Sequence, residues 1–535
     1  MNIGSNIRRL GVFMTALFLA LSAGLVYWQV IAASAVTANV HNGRACLPAN
    51  APIRGRIFDR NGVLLADSKP DKNAPCGYLR HYYEPSLAAL IGYYISPLYP
   101  STGLERQYDA YLSGDVGATA LGTMGNKLLH RPPVGDDLYL TIDVRIQRLV
   151  DRHFDDPIVI DNENTFKSDS GAVIVMDPHT GEVLAMLSRP SFDPNKLVST
   201  VARGDLSYYN ALANNKGQPL LMKPIQDTYI PGSSYKAVTL MAALDTGKTS
   251  LQTTFDEQHA RGPIFVNGQQ IGPIGNNIDP YTYRFPVTSE YGFVHSDNVI
   301  FAQLGLKLGF NAWQDYNQRF YMGQAIPFDL PVVKSSILKS QPTLNENELA
   351  AEAFGQGYDA VTPLQMALFN NAIASNGHLM RPMLLAKIVA PNKEPVQINS
   401  PELLRAPISA QTAAQVRQAM FGVIRCGSGS VVPALLNSPV SIIGKTSTGQ
   451  VSDAGNIAAH GWMITQAPYS VTQPEQLPRL TIVAMKQNSG EGGASVGPMI
   501  AAMYQDIFSH GYVKASNPPA PPANYCCSTG LLQCR

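Results

Sequence analysis

The stretch Pro231-Gly232-Ser233-Ser234-Tyr235-Lys236, followed by the apolar run Ala237-Val238-Thr239-Leu240-Met241-Ala242-Ala243-Leu244, decides how the rest of the chain is read. Pro231 and Gly232 interrupt whatever precedes them, Ser233 is suited to start a helix, and Gly247 is placed to end it. The pattern predicts a helix over 233–246. Residues three apart share a helix face, so the Ser233 hydroxyl and the Lys236 amine stand side by side, one turn apart. A hydroxyl is a poor nucleophile at neutral pH. A neighbouring amine takes its proton once burial, or a second cation nearby, has lowered the pKa of the amine itself. The bland alternative is a capping serine on a buried helix, with a lysine that reaches solvent. Ser-x-x-Lys alone does not separate the two, since Ser336-Ile337-Leu338-Lys339 repeats it. That second copy lacks the Pro-Gly break and runs into Ser340-Gln341-Pro342 instead of a long apolar helix, and it is set aside.

Two later stretches favour the chemical reading. Ser296-Asp297-Asn298 is the only Ser-x-Asn in the chain and forms a polar break between apolar segments. Ile442-Ile443-Gly444-Lys445-Thr446-Ser447-Thr448-Gly449 is a strand-like run that ends in a cation and hydroxyls. Gly-Lys-Thr-Ser occurs here and at 247–250, but neither copy is a phosphate-binding loop. That motif needs a glycine five residues before its Gly-Lys, and those positions hold Ala242 and Pro439.

Ser-x-x-Lys, Ser-x-Asn and a Lys-Thr-Gly-like run, in this order, resemble the signature of penicillin-binding proteins and serine β-lactamases. Arg54-Gly55-Arg56-Ile57-Phe58-Asp59-Arg60-Asn61-Gly62 is similar to the stretch just outside the membrane in class B penicillin-binding proteins, which are monofunctional peptidoglycan D,D-transpeptidases. Gly171 to Ser188, with its Asp177-Pro178-His179-Thr180-Gly181-Glu182 turn, resembles the opening hairpin of their transpeptidase domain. Phe354-Gly355-Gln356-Gly357, Thr362-Pro363-Leu364-Gln365 and His460-Gly461-Trp462 resemble later parts of it, so the resemblance runs from the membrane segment to about residue 510.

The resemblance implies an α+β multi-domain chain with a β-lactamase/transpeptidase-like domain. In that domain a five-stranded antiparallel sheet with flanking helices meets an all-helical subdomain, and the active site lies in the cleft between them. The residues agree. Apolar, β-branched runs at 171–176, 182–187, 440–445, 461–465 and 480–486 read as strands, and 364–375 and 498–509 as helices. The expected division is a cytoplasmic tail at 1–9, a transmembrane anchor at 10–33, a small pedestal or dimerisation-like domain at 36–165, the transpeptidase domain at 166–513 and a Pro/Cys-containing tail at 514–535.

Length and charge fit this organisation. The chain has 535 residues, 45% of them hydrophobic, which is enough for two or three full-sized cores. Its 40 basic and 39 acidic residues leave no charge excess that would point to nucleic acid. After Arg8 and Arg9 no charged residue occurs until Arg44. Leu10 to about Ile31 is long enough to span a bilayer, and the preceding arginines place the short tail in the cytoplasm and the rest outside. Ala33-Ser34-Ala35 leaves a cleaved signal peptide as the competing reading. Outside the cell a Cys46–Cys76 bridge is plausible. Cys526, Cys527 and Cys534 follow a Pro-rich linker and read as a disordered tail whose thiols pair with each other or with a partner.

The chemistry these residues serve is acyl transfer at a peptide carbonyl. By resemblance, Ser233 attacks the penultimate D-alanine of a peptidoglycan stem peptide, and Lys236 takes its proton. Ser296 relays that proton to the departing D-alanine, Asn298 orients the substrate amide, and Lys445 supplies positive charge. Thr446, Ser447 and Thr448 are the expected substrate-binding residues. The hydroxyls of Thr446 and Ser447 lie near the terminal carboxylate, and the backbone N–H groups of Ser233 and Thr448 hold the oxyanion. Ser447 stands where the family usually has glycine. β-Lactams are expected covalent inhibitors, and a membrane glycan polymerase of the shape, elongation, division and sporulation family an expected partner. No cofactor or metal is expected. A D,D-carboxypeptidase or β-lactamase-like hydrolase would share every one of these residues, differing only in its acceptor. An acylated sensor without turnover and a catalytically decayed scaffold are the remaining readings.

Overall fold

The computed structural model describes residues 3–28, 53–74, 76–97, 99–116, 134–159, 165–272, 274, 284–338, 342–450, 459–514, 519 and 521–534. Cys46 and Lys339 lie outside them, and with them the expected Cys46–Cys76 bridge and the end of the second Ser-x-x-Lys. The chain opens with α1 (Ile3–Val26), of which Ile7–Val26 has a mean hydropathy of 1.9 and buries none of its residues among the described ones. Twenty residues at 1.5 Å each match a bilayer's hydrocarbon core. Among the described residues it is the one helix long and apolar enough to cross a membrane.

The region expected as a pedestal is built on β1 (Ile57–Phe58), β2 (Leu64–Pro70), β3 (Tyr78–Tyr82) and β4 (Asp137–Leu140). Two strands from much later in the chain complete a six-stranded sheet, Leu385–Val389 pairing with β4 and Pro395–Ile398 pairing in turn with Leu385–Val389. The pedestal sheet therefore draws on a segment inside 166–513, because the free edge of β4 is covered by the returning chain. Arg54 explains the Arg-Gly-Arg stretch. Its Nε donates to Glu105 at 2.6 Å, and Arg80 donates to the other Glu105 oxygen at the same distance, all three side chains being buried. Two guanidinium groups satisfy one carboxylate and hold its pKa below the usual range despite burial. Gly55 is required beside them, since a Cβ there would lie 1.9 Å from the Asp136 carbonyl oxygen.

The second unit begins with α2 (Val144–Phe154), capped by Asp143 through the Arg145 N–H at 3.0 Å. β5 (Gly171–Met176) and β6 (Val183–Arg189) form the expected hairpin. The helical part contributes α3 (Lys236–Asp245), α4 (Ser289–Val294), α5 (Asn298–Leu308), α6 (Pro363–Ala374) and α7 (Ala410–Cys426). β7 (Ile443–Gly449), β8 (His460–Ala467) and β9 (Leu480–Lys486) then complete an antiparallel sheet in the order β7-β8-β9-β5-β6, and α8 (Gly492–Ser509) covers one face. This is the five-stranded sheet with flanking helices that the resemblance implied. α6 is apolar nearly all round and buried along its whole length between sheet and helices, as a central core helix must be.

Three details depart from the sequence reading. The segment expected to be helical from Ser233 starts as a 3₁₀ turn, Gly232–Tyr235, and Ser233 caps nothing, which leaves its hydroxyl for the cleft. α8 begins at Gly492, with Pro498 inside it. A Cβ at Gly492 would stand 2.2 Å from the Ser447 carbonyl oxygen, so this first turn lies directly against β7. The tail is folded. Cys526, in α9 (Tyr525–Ser528), is bonded to Cys426 at the end of α7, and Cys527 to Cys534. The tail thiols thus find their partners both within the tail and on the catalytic domain.

Candidate active site

The 3₁₀ turn presents Ser233 half-buried at the cleft, while Lys236, the first residue of α3, is fully buried. The two are 3.1 Å apart, Lys236 Nζ to Ser233 Oγ. The amine has three further neighbours: the Ser296 carbonyl oxygen at 2.6 Å, Asn298 Oδ1 at 2.7 Å and Ser296 Oγ at 3.2 Å. The first two only accept hydrogen bonds. A neutral amine has two N–H donors and one lone pair. With both donors given to the carbonyl oxygens, the lone pair is left for a hydroxyl. Burial, then the charge of Lys445, pushes the Lys236 pKa well below the ordinary lysine value, opposed by Asp297. Asp297 is itself pushed up by burial to about 6, so its opposition weakens as it takes up a proton.

Ser296 joins the two lysines. Its hydroxyl is 2.9 Å from Lys445 Nζ as well as 3.2 Å from Lys236 Nζ. It lies between α4 and α5 with φ +62°, a left-handed conformation that costs a serine about 1–3 kcal/mol and persists only where the surroundings over-determine it. Asp297 then caps α5 through the Ile300 N–H at 2.8 Å, which brings Asn298 to the start of that helix and toward Lys236. Lys445 is fully buried on β7 and its pKa is lowered by burial to about 7.

β7 is the edge strand of the sheet and borders the turn that carries Ser233. The Thr448 carbonyl accepts from Gln356 Nε2 at 2.8 Å. Because the N–H and C=O of one strand residue point to the same side, the Thr448 N–H also points off the sheet edge toward the nucleophile turn. Gly232, at φ +56°, makes the close approach possible, since a Cβ there would lie 2.4 Å from the Thr448 oxygen. The Gly232 N–H in turn donates to the Gly355 carbonyl at 3.0 Å.

Five of the expected residues, Ser233, Lys236, Ser296, Asn298 and Lys445, thus form one hydrogen-bonded group, with Thr446 and Thr448 on the adjoining strand. Ser447 differs. Its hydroxyl donates to the Pro231 carbonyl at 2.6 Å, so it is committed to the nucleophile turn and does not face a substrate carboxylate. Lys445, Ser447 and Gly449 share one side of the strand, and that side meets Ser296 and the 230–232 segment. Ser336 of the second Ser-x-x-Lys pairs its backbone with Ala360 and donates its hydroxyl to the Leu338 carbonyl, so it is committed to its own loop and makes no hydrogen bond with the group around Lys236.

Two contributors escaped the sequence reading. Gln356 braces Thr448, and although its Phe-Gly-Gln-Gly stretch stands out, nothing local shows where the amide points. Ser428, just past α7, has its hydroxyl 2.6 Å from that of Thr446. No spacing rule links the two positions.

Residues 171–505 match the penicillin binding protein transpeptidase domain family, and residues 54–138 the penicillin binding protein A dimerisation domain. The chain belongs to the penicillin-binding protein transpeptidase family. It is 29% identical to peptidoglycan D,D-transpeptidase PbpA of Mycolicibacterium smegmatis over 507 residues, which covers 93% of this chain and 96% of that protein. It is 28% identical over 471 residues to stage V sporulation protein D of Bacillus subtilis, covering 84% of this chain and 66% of that one. The structure of penicillin-binding protein A from M. tuberculosis as an imipenem acyl-enzyme complex superposes with a TM-score of 0.73 at 28% identity, covering 85% of this chain and 98% of that one.

Proposed function

We infer that Ser233, Lys236, Ser296, Asn298 and Lys445 are the acylation machinery of this chain, a serine-type peptidoglycan D,D-transpeptidase that is inhibited covalently by β-lactams. The observation that carries the assignment is the hydrogen-bond count at Lys236: its two carbonyl partners use both N–H groups of a neutral amine and leave its lone pair for a hydroxyl. The Ser233 proton passes to Lys236 Nζ as Oγ bonds to the carbonyl carbon of the penultimate D-alanine. The N–H groups of Ser233 and Thr448 stabilise the oxyanion. Collapse breaks the bond to the terminal D-alanine, whose nitrogen receives the proton from Lys236 through Ser296. An amine on a neighbouring stem then attacks the acyl-enzyme and gives up a proton by the reverse route, which forms the cross-link and restores Ser233. Thr446 faces the terminal carboxylate, the charge of Lys445 helps keep Lys236 deprotonated, and Asn298 orients the substrate amide.

The division at 1–9, 10–33, 36–165, 166–513 and 514–535 belongs to the same proposal. Residues 1–9 are cytoplasmic, the apolar helix is an anchor, and everything beyond it is extracytoplasmic. A chain with a cross-linking site also needs a source of glycan strands, and a membrane glycan polymerase of the shape, elongation, division and sporulation family is the partner of that chemistry. Labelling a membrane fraction with a fluorescent penicillin and mapping the modified peptide tests the site. The adduct is expected on Ser233, and an adduct elsewhere would overturn the assignment.

A further inference from the structure

The mechanism makes no use of the C-terminal tail, yet the tail grips the back of the site. The Cys426–Cys526 bond ties it to the end of α7 across 100 residues of sequence, and the Cys527–Cys534 bond closes its last loop. Inside that loop Leu531 is 1% exposed and packs with Val294 and Cys426 in a small apolar cluster separate from the main core. One residue beyond Val294, His295 Nε2 lies 2.7 Å from the Leu531 carbonyl oxygen, a distance at which the ring donates an N–H. Gln533 exchanges two hydrogen bonds with the Arg284 backbone, at 2.9 and 2.7 Å, ahead of α4.

These contacts bear on both sides of the cleft. Val294 and His295 lead directly into Ser296, whose left-handed backbone must be held by its surroundings. Cys426 leads into Gly427 and Ser428. The Ser428 N–H donates to the Val294 carbonyl at 3.1 Å, while its hydroxyl meets Thr446. The end of α4 and the end of α7 are therefore joined where each feeds a residue into the site, and the tail is fastened to both. A short segment with one buried leucine has little tendency to dock by itself, and a covalent tether supplies the effective concentration that keeps it seated.

We propose that residues 521–534 form a disulfide-tethered clasp in which Leu531 and His295 are positioning residues: by holding the Val294–His295 step against Cys426, it keeps Ser296 and Ser428 in register for acylation. The proposal rests on the reading of Ser296 as a member of the acylation machinery.

The test is the rate of acylation by a fluorescent penicillin in the full-length protein, with the adduct mapped in each case. Leu531→Asp, and the pair Cys426→Ala with Cys526→Ala, are expected to acylate Ser233 about tenfold more slowly at saturating penicillin, equivalent to about 1.4 kcal/mol. His295→Ala should fall with them. His295→Gln, which retains an N–H able to reach the Leu531 carbonyl, should keep most of the wild-type rate. A role confined to fold stability would not separate those two histidine variants at a temperature where both are folded. Should the cysteine pair fail to fold, reducing the folded protein with dithiothreitol, capping the thiols and removing the reagent opens both tail disulfides and should slow acylation at least as much. Wild-type rates throughout, with the adduct on Ser233, would overturn the clasp alone. So would equal rates for His295→Gln and His295→Ala, or a rate loss accompanied by loss of near-ultraviolet circular dichroism. An adduct on another residue in the wild type would overturn the site assignment and the clasp together.

Discussion

The Ser447 hydroxyl donates a 2.6 Å hydrogen bond to the carbonyl oxygen of Pro231, so the side chain found where the family usually has glycine turns back onto the nucleophile turn. The same carbonyl also accepts from the Ser234 hydroxyl at 2.7 Å and stays satisfied without Ser447. Ser447→Gly should therefore lose about 0.5–1.5 kcal/mol of stability and change penicillin acylation by less than about tenfold. Ser447→Val puts a branched group where a Cβ on Gly232 would already be 2.6 Å from the serine oxygen, and it should acylate more slowly than the glycine variant. Second-order acylation rates for the two proteins check the order. A larger loss in the glycine variant would mean that the hydroxyl works on the ligand.

Lys236→Arg keeps a positive charge and removes an amine able to lose its proton, since guanidinium stays charged at any usable pH. Loss of a positioned base is expected to lower acylation by roughly 10²–10⁴-fold. Stopped-flow acylation of protein with an unchanged circular dichroism spectrum is the measurement, and a normal rate would exclude Lys236 as the proton acceptor.

Lys445 offers two pH-dependent readouts. Its charge lowers the pKa of Lys236, so Lys445→Met should raise that pKa and move the acid limb of the acylation profile, at saturating penicillin, to higher pH. Stability changes in parallel. Burial lowers the Lys445 pKa from the ordinary 10.5 to about 7, so between these values the unfolded chain binds more protons than the folded one. Stability from this group therefore rises with pH across that window, by up to about 1.4 kcal/mol per pH unit. Denaturation at pH 7 and pH 9 should show Lys445→Met gaining relative to wild type, with the larger gain at pH 7. A constant difference would contradict a buried Lys445 whose pKa is lowered by burial.

Ser428→Ala removes the hydroxyl partner of Thr446 and leaves the rest of the site in place. With Thr446 at the substrate carboxylate, the variant should capture penicillin less well, by about 1 kcal/mol, while the limiting acylation rate changes little. The concentration dependence of acylation separates the two quantities.

The topology is open to a direct test. Arg8 and Arg9 stand at the start of the apolar helix and no Asp, Glu, Lys or Arg follows them before Arg44, a bias that predicts a catalytic domain outside the membrane. Protease added to intact cells stripped of their wall should degrade that domain, and complete protection would reverse the orientation.

The sequence by itself determined whatever depends on local spacing. Ser233 and Lys236 lie within one turn, so their meeting follows from helical geometry, and Ser-x-Asn carries Ser296 and Asn298 together wherever it goes. Apolar, β-branched runs announced all five strands of the catalytic sheet, and the charge-free stretch announced the long apolar helix. Tertiary structure alone decided which distant groups those local pieces meet. Ser447 reaches Pro231 across 216 residues, Thr446 meets Ser428 across 18, and Cys426 finds Cys526 across 100. Periodicity reports the face on which a side chain lies, while the identity of its neighbour depends on how whole elements pack. A proline-rich run before three cysteines reads as a loose tail because its composition cannot build a core. Residues 521–534 are ordered here because a partner cysteine and an apolar seat for Leu531 wait on a surface formed by two helix ends that the chain brings together only when it folds.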